Sequence, residues 1–301
     1  MWKLAFLALA AIFAAGCDSK DAAVTEIYSP VYSEKSSSGG KSLILGVHPL
    51  HNPKKLFEVY GPLVDYINAN VKGANIKLEA SRNYEEYEKK LFARRFDLGL
   101  PNPYQTLKSM DHGYRVFGKM GDDFNFRGVI LIRKDSGINE VTDLKGKVVS
   151  FPAATALAAT MMPQYYLHTH GLDVNRDIQS SYVGSQESSI MNVYYGKSAA
   201  GATWPIPWLK FQKEQPDLAK HLMVKWQTET LPNNSLVARD DFPKETLEQI
   251  EKVIFNMHND PKGREILERM PISRFESATN ATYEPVRKYI ANFSKAVRPV
   301  E

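Results

Sequence analysis

The sequence predicts an α/β protein built as two lobes, on three observations. Short apolar runs that end at Pro, Gly or Asn recur along the chain, segments with helical spacing separate them, and the β-α-β-α-β order of residues 43–104 begins again near residue 129. Strands alternating with helices imply parallel-type sheets flanked by helices, with the strand ends opening on a common rim where α/β proteins take ligands.

The elements follow in order. Leu43-Ile44-Leu45-Gly46-Val47 is an apolar run that meets His48-Pro49, which predicts a buried strand ending in a loop. Between Pro53 and Asn70 the residues Leu56, Val59, Tyr60, Leu63, Val64 and Ile67 recur at spacings of three and four, the period of an amphipathic helix. Ile76 to Ala80 alternates as a strand, Tyr84 to Phe92 reads as helix, and Phe96 to Leu100 is a strand running into Pro101-Asn102-Pro103. The second run starts at Val129-Ile130-Leu131-Ile132 and reaches a strand at Val148 to Phe151. A helix rich in Ala and Met is expected over Ala153 to Tyr166, then a strand at Ser181 to Val183 and a helix at Ser188 to Tyr195. Ala199 to Thr203 is a small-residue strand and Leu236 to Ala238 another, with helices at Lys244 to Met257 and Gly263 to Met270. No internal repeat is evident. The expected division is residues 41–130 with 236–301 as the first lobe and 131–235 as the second.

Residues 1–16 carry Lys3, an apolar run from Leu4 to Ala15, and Ala14, Ala15 and Gly16 directly before Cys17, the only cysteine in the chain. The run is shorter than the roughly 20 residues a membrane-spanning helix needs. It predicts an export signal of the lipoprotein kind, with Cys17 acylated and the protein held to a membrane by its acyl chains. Asp18 resembles the signal that retains such proteins on the inner membrane, which would place the folded body in the periplasm. Residues 17–40, ending in Ser-Ser-Ser-Gly-Gly, read as a flexible tether.

Composition excludes several functions. At 43% hydrophobic and 24% charged, the 301-residue chain is that of a globular protein. Its 38 Lys and Arg against 34 Asp and Glu are spread without a dense basic block, so nucleic acid is not an expected partner. One cysteine rules out a disulfide framework and a thiolate metal cluster within the chain. His48 and His51 flank Pro49-Leu50 without a neighbouring carboxylate and are incomplete for zinc, so neither metal nor cofactor is expected. No Gly-x-Ser-x-Gly, Walker loop or His-Glu-x-x-His occurs, which favours binding over catalysis; an enzyme on the same fold is the weaker alternative.

Four stretches in this order resemble the phosphate/phosphonate/phosphite substrate-binding family of bacterial transporters, the PhnD type. They are Leu45 to Pro49 with the helix to Ile67; Phe96-Asp97-Leu98-Gly99 with Pro103-Tyr104; Asp143 to Val149 leading to the Pro163 helix; and Pro232 to Ala238. The resemblance implies the type II periplasmic-binding fold, two lobes joined by a hinge that the chain crosses twice, with a small-molecule ligand clamped in the cleft. It also implies a membrane permease as partner, or a receptor if the protein is a sensor. Where the family resembles Ser-Thr-Ser-Gly at the start of the second-lobe helix, this chain has Ala153-Ala154-Thr155-Ala156-Leu157-Ala158. A Gly-rich turn with His becomes Gly184-Ser185-Gln186-Glu187-Ser188-Ser189, and a polar strand end becomes Thr203-Trp204-Pro205-Ile206-Pro207-Trp208. The candidate ligand-binding residues are therefore His48, His51, Asn102, Tyr104, Thr155, Ser185, Gln186, Ser188, Trp204 and Trp208. The apolar replacements, with Met161 and Met162 on the expected rim, point to either a phosphonate- or phosphate-like ligand or a larger apolar, lipid-like one.

Overall fold

The structure, a computed structural model, describes residues 42–300; the predicted leader, Cys17 and the whole tether lie outside the described residues. The chain begins with β1 (Leu43–Val47), α1 (Pro53–Asn70), β2 (Ile76–Glu79), α2 (Tyr84–Phe92), β3 (Leu98–Leu100), α3 (Pro103–Met110) and β4 (Tyr114–Met120). It then passes through β5 (Val129–Arg133), β6 (Val148–Phe151), α4 (Met162–Thr169), β7 (Gln179–Tyr182), α5 (Gln186–Tyr194) and β8 (Ala200–Thr203). After these come α6 (Pro205–Glu214), α7 (Pro216–Ala219) and β9 (Leu222–Gln227). The chain closes with β10 (Ser235–Arg239), α8 (Lys244–Asn256), α9 (Pro261–Arg269), β11 (Phe275–Ser277) and α10 (Glu284–Ala296).

Helix starts are written in the local sequence. Asn52 accepts from the Lys55 N–H at 3.0 Å with Pro53 at the first helical position of α1, and Asn83 accepts from the Glu86 N–H at 2.8 Å on α2. Asn102 and Gln105 cap each other reciprocally on α3. The apolar stripe foreseen on α1 is buried along its length.

The strands form two sheets, ordered β11-β4-β10-β3-β1-β2 and β7-β6-β8-β5-β9. The expected parallel pairs are present, β1 with β2 and β3 and β6 with β7 and β8, and both sheets are mixed: β10 is antiparallel to β3 and β4, and β5 is antiparallel to β8 and β9. The cause is the pair of crossings between sheets. β1 and β3 run toward the second sheet; β5 and β10 each enter their sheet from the crossing and must run away from it. Trp204 caps α6 and Pro205 to Trp208 start it, because Pro205 and Pro207 sit in a first turn whose N–H groups have no intrahelical acceptor. The Ala/Met helix begins at Leu157 rather than Ala153, and its first five residues are π-helical before α4 continues it to Thr169.

The crossings, residues 121–128 and 228–234, lie side by side. Thr228 N–H donates to the Gly128 carbonyl at 2.9 Å, the Thr228 hydroxyl accepts from Gly128 N–H at 2.9 Å, and Leu231 N–H donates to the Phe126 carbonyl at 3.1 Å. Asn233 closes the ladder, taking the Gly121 carbonyl at 2.8 Å through its side chain and the Asp123 carboxylate at 2.9 Å through its N–H. A third strap follows α10, where Arg298 donates to the Ala154 carbonyl at 2.7 Å and to Gln164 at 3.1 Å.

The two lobes share one apolar cluster, with Tyr165 of α4 against Tyr289 of α10, and polar contacts also join them. Lys55 on α1 reaches Glu214 on α6 at 2.6 Å, and Asn102 donates to the Thr155 carbonyl at 3.0 Å. The Glu88 carboxylate on α2 accepts from the Thr155 hydroxyl at 2.6 Å and from Gln105 at 2.9 Å. Burial raises the Glu88 pKa above the ordinary carboxylate value although both hydrogen bonds oppose the rise.

Two outcomes follow. A Cβ on Gly46 would lie 2.5 Å from the Phe96 ring, which is fully buried and stacked on Tyr87 at 5.3 Å. Gly46→Ala should lower stability by about 1–3 kcal/mol, read as a shift in urea midpoint at unchanged slope. Because the folded protein binds the Glu88 proton more tightly than the unfolded chain, stability from this group is present below the ordinary carboxylate pKa and is lost as pH rises through the raised value. Glu88→Gln keeps both accepted hydrogen bonds and removes the charge. It should raise the melting temperature at pH 7, with the gain shrinking toward pH 4; a variant less stable than wild type at pH 7 would contradict the assignment.

Candidate ligand-binding cleft

Between the sheets lies a cleft of about 210 Å³. His48 follows β1, Tyr84 opens α2 and Asn102 follows β3; these form one wall. Ala156 to Ala159, Gln186 and Trp204 form the other, and Phe126 and Asn234 of the two crossings make the floor. Among the described residues that line it, none is Lys, Arg, Asp or Glu.

The polar groups of the first wall are fixed by the strand ends. His48 Nδ1 lies 2.9 Å from the Leu100 carbonyl, which can only accept, so Nδ1 carries the proton and Nε2 is the bare nitrogen. Burial lowers the His48 pKa to about 4, against a smaller opposing effect of that hydrogen bond, so the ring is neutral at physiological pH. Tyr84 meets the imidazole edge-on at 6.1 Å, and its hydroxyl accepts from Gln186 Nε2 at 3.3 Å. Burial pushes the Tyr84 phenol well above its ordinary pKa, so it keeps a proton to donate. Gln186 in turn accepts from the Thr203 hydroxyl at 2.9 Å.

The second wall supplies donors of another kind. Leu157, Ala158 and Ala159 begin the helix that runs to Thr169, so their N–H groups have no intrahelical acceptor. The axis behind them adds roughly half a positive charge at this end. An oxyanion seated here would be held by backbone and not by a cation.

Four residues named from sequence line the cleft: His48, Asn102, Gln186 and Trp204. Thr155 stands beside it, with both its carbonyl and its hydroxyl bonded to the first lobe. Ser185 caps α5 by accepting from the Ser188 N–H at 3.1 Å, and its hydroxyl bonds that of Ser188 at 2.9 Å; neither is in the lining. Tyr104 is buried in α3, outside the lining. Trp208 stacks on Phe211 at 5.9 Å in the smaller apolar cluster of the second lobe, so the expected wall is Trp204 without Trp208. Met161 and Met162 are core and not rim. His51 sits behind His48, where burial, then Lys210 and Lys55, lower its pKa to about 3. The sequence reading missed Tyr84, Phe126 and Asn234. Asn83-Tyr84 was legible as a helix start, but its closeness to the strand rim was not.

His48, Tyr84, Asn102, Gln186 and Asn234, with the Trp204 indole N–H, give the lining a largely polar character, which does not support the lipid-like alternative. Among the described residues no group of three or more His, Cys, Asp or Glu could hold a metal, and no helix is long and apolar enough to cross a membrane.

Comparison with known proteins agrees with this architecture. The crystal structure of a binding protein component of an ABC phosphonate transporter from Pseudomonas aeruginosa superposes with a TM-score of 0.78 at 15% identity, covering 85% of this chain and 87% of that one. PhnD1 from Prochlorococcus marinus in complex with methylphosphonate gives 0.78 at 20% identity, covering 85% and 99%. The Phosphonates-binding periplasmic protein of Escherichia coli K12 is 25% identical over 167 residues, 53% of this chain and 48% of that protein, so the match spans about half of each. The profile described as "ABC transporter, phosphonate, periplasmic substrate-binding protein" matches residues 45–283, nearly the whole folded body, and the chain belongs to that family.

Proposed function

We propose that the protein captures a small phosphonate-type oxyanion between its lobes in the periplasm and delivers it to the permease of an ABC transporter. The observation that carries this reading is the open helix start at Leu157 to Ala159, which faces His48 and Tyr84 across a cleft with no carboxylate to repel an anion. The methylphosphonate complex of PhnD1 supports the ligand class, and the family supports the transporter as partner. Closure would follow from contacts made to both walls at once.

In this reading the protein is a carrier and its chemistry is binding alone. Cys17, acylated after removal of residues 1–16, would hold it on the inner membrane beside its permease, with residues 17–40 as leash.

Methylphosphonate at about 100 times its Kd should raise the melting temperature by on the order of 5 °C. Ala158→Asp places a carboxylate at the oxyanion position while suiting the helix start, so it should fold normally and lose the stabilisation by methylphosphonate. Retained stabilisation would place the anion elsewhere. Replacing residues 1–17 by a cleavable export signal without a cysteine should move the protein from the membrane to the soluble periplasmic fraction; a processed variant still sedimenting with membranes would remove the acyl anchor from the account.

A further inference from the structure

Two acceptors in the cleft have no protein donor. His48 Nε2 is bare because Nδ1 donates to Leu100, and Asn234, 1% exposed, has a buried Oδ1 without a hydrogen-bond partner while its Nδ2 faces the Met120 sulfur at 3.5 Å. Both residues line the same cleft as the open N–H groups of Leu157 to Ala159. A fully ionised oxyanion has acceptors only; it would satisfy the helix start and leave these two facing it lone pair to lone pair. A buried polar group left in that way costs about 1–3 kcal/mol.

Charge leads to the same place independently. A dianion in this cleft would meet no Lys or Arg, only the partial charge of one helix end, which is comparable to half a unit. Moving a second negative charge out of water without a partner costs several kcal/mol.

We infer that the cleft takes its ligand as the singly protonated monoanion, with the ligand's P–OH donating to Asn234 Oδ1 or His48 Nε2 and its remaining oxygens accepting from the helix start and the Tyr84 hydroxyl. Asn234 and His48 are then specificity-determining residues. They select for a tetrahedral oxyanion that still carries a proton, and against sulfonates and fully ionised phosphorus oxyanions. The inference deepens the proposed function and rests on it.

Several titratable or charged groups face the two acceptors. Tyr84, Tyr87 and His51 lie against or beside His48; Glu88 stands behind Tyr84; Lys55, Lys210 and Glu214 stand behind His51. Asp123, Lys119 and Tyr283 surround the backbone at Asn233 and Asn234. Glu88, whose pKa is raised, could add its own pH dependence, so the experiment is run in wild type and in Glu88→Gln.

The test compares methylphosphonate with methanesulfonate, matched in shape and single charge but differing by the P–OH. Calorimetry on the full folded chain between pH 5.5 and 9 should show methylphosphonate at least about 100-fold tighter at pH 6. Its affinity should fall about tenfold per pH unit above the ligand's second ionisation. Phosphite, whose second ionisation lies at a different pH, should shift the midpoint accordingly in both backgrounds, which a protein group would not do. Asn234→Leu should bring the two affinities within about tenfold of each other, and His48→Gln provides a second route if that variant folds poorly. Equal binding of methanesulfonate and methylphosphonate by wild type, or tighter binding of the dianion, overturns the inference and leaves an anion cleft standing. No binding of any of the three overturns it together with the proposed function.

Discussion

The molecule is organised around one electrostatic constraint: the cleft between its two lobes is lined by dipoles and, among the described residues, by no charged side chain. The helix beginning at Leu157 presents its unpaired N–H groups there, and no charged side chain lines the space. Hydroxyls at this turn would share the load. Thr155, just before the turn, carries a hydroxyl, but it is engaged by Glu88 of the opposite lobe. The hydroxyl before this turn serves as a clasp between the lobes.

That clasp belongs to a set of contacts that are individually weak. The Lys55–Glu214 pair is partly solvated and worth no more than about 1 kcal/mol. Glu88 gains two hydrogen bonds but resists losing water. Gln186 to Tyr84 is long at 3.3 Å. The paired crossings are the opposite case: hydrogen bonds between residues 121–128 and 228–234 tie the two segments together beneath the cleft. Asn234 and Phe126 belong to these crossings and form the floor of the cleft, which places Asn234 to read a ligand's proton.

Much of this was legible in local sequence. The Asn caps of α1, α2 and α3, the stripe on α1 and the apolar runs of β1, β5 and β10 are near-neighbour patterns. The β4, β9 and β11 strands escaped notice: β9 alternates only weakly on a sheet edge and β11 has three residues. Trp208 was misplaced because an aromatic after a Pro-rich turn looks the same whether its helix faces a cleft or a core. Its burial against Phe211 depends on which face of α6 meets the sheet.

By itself the sequence determined the element types, the order of the two α/β runs, the family resemblance and the polar strand ends at His48 and Asn102, because these rest on spacing within one turn or strand. Tertiary structure alone decided strand direction, the size of the cleft, and the meeting of Tyr84, Asn234 and the Leu157 helix start, which are 73 or more residues apart in pairs. The physical reason is that a hydrogen-bond acceptor becomes a recognition group only when its surroundings remove every other donor. That is a property of three-dimensional burial, carried by no local pattern of residues.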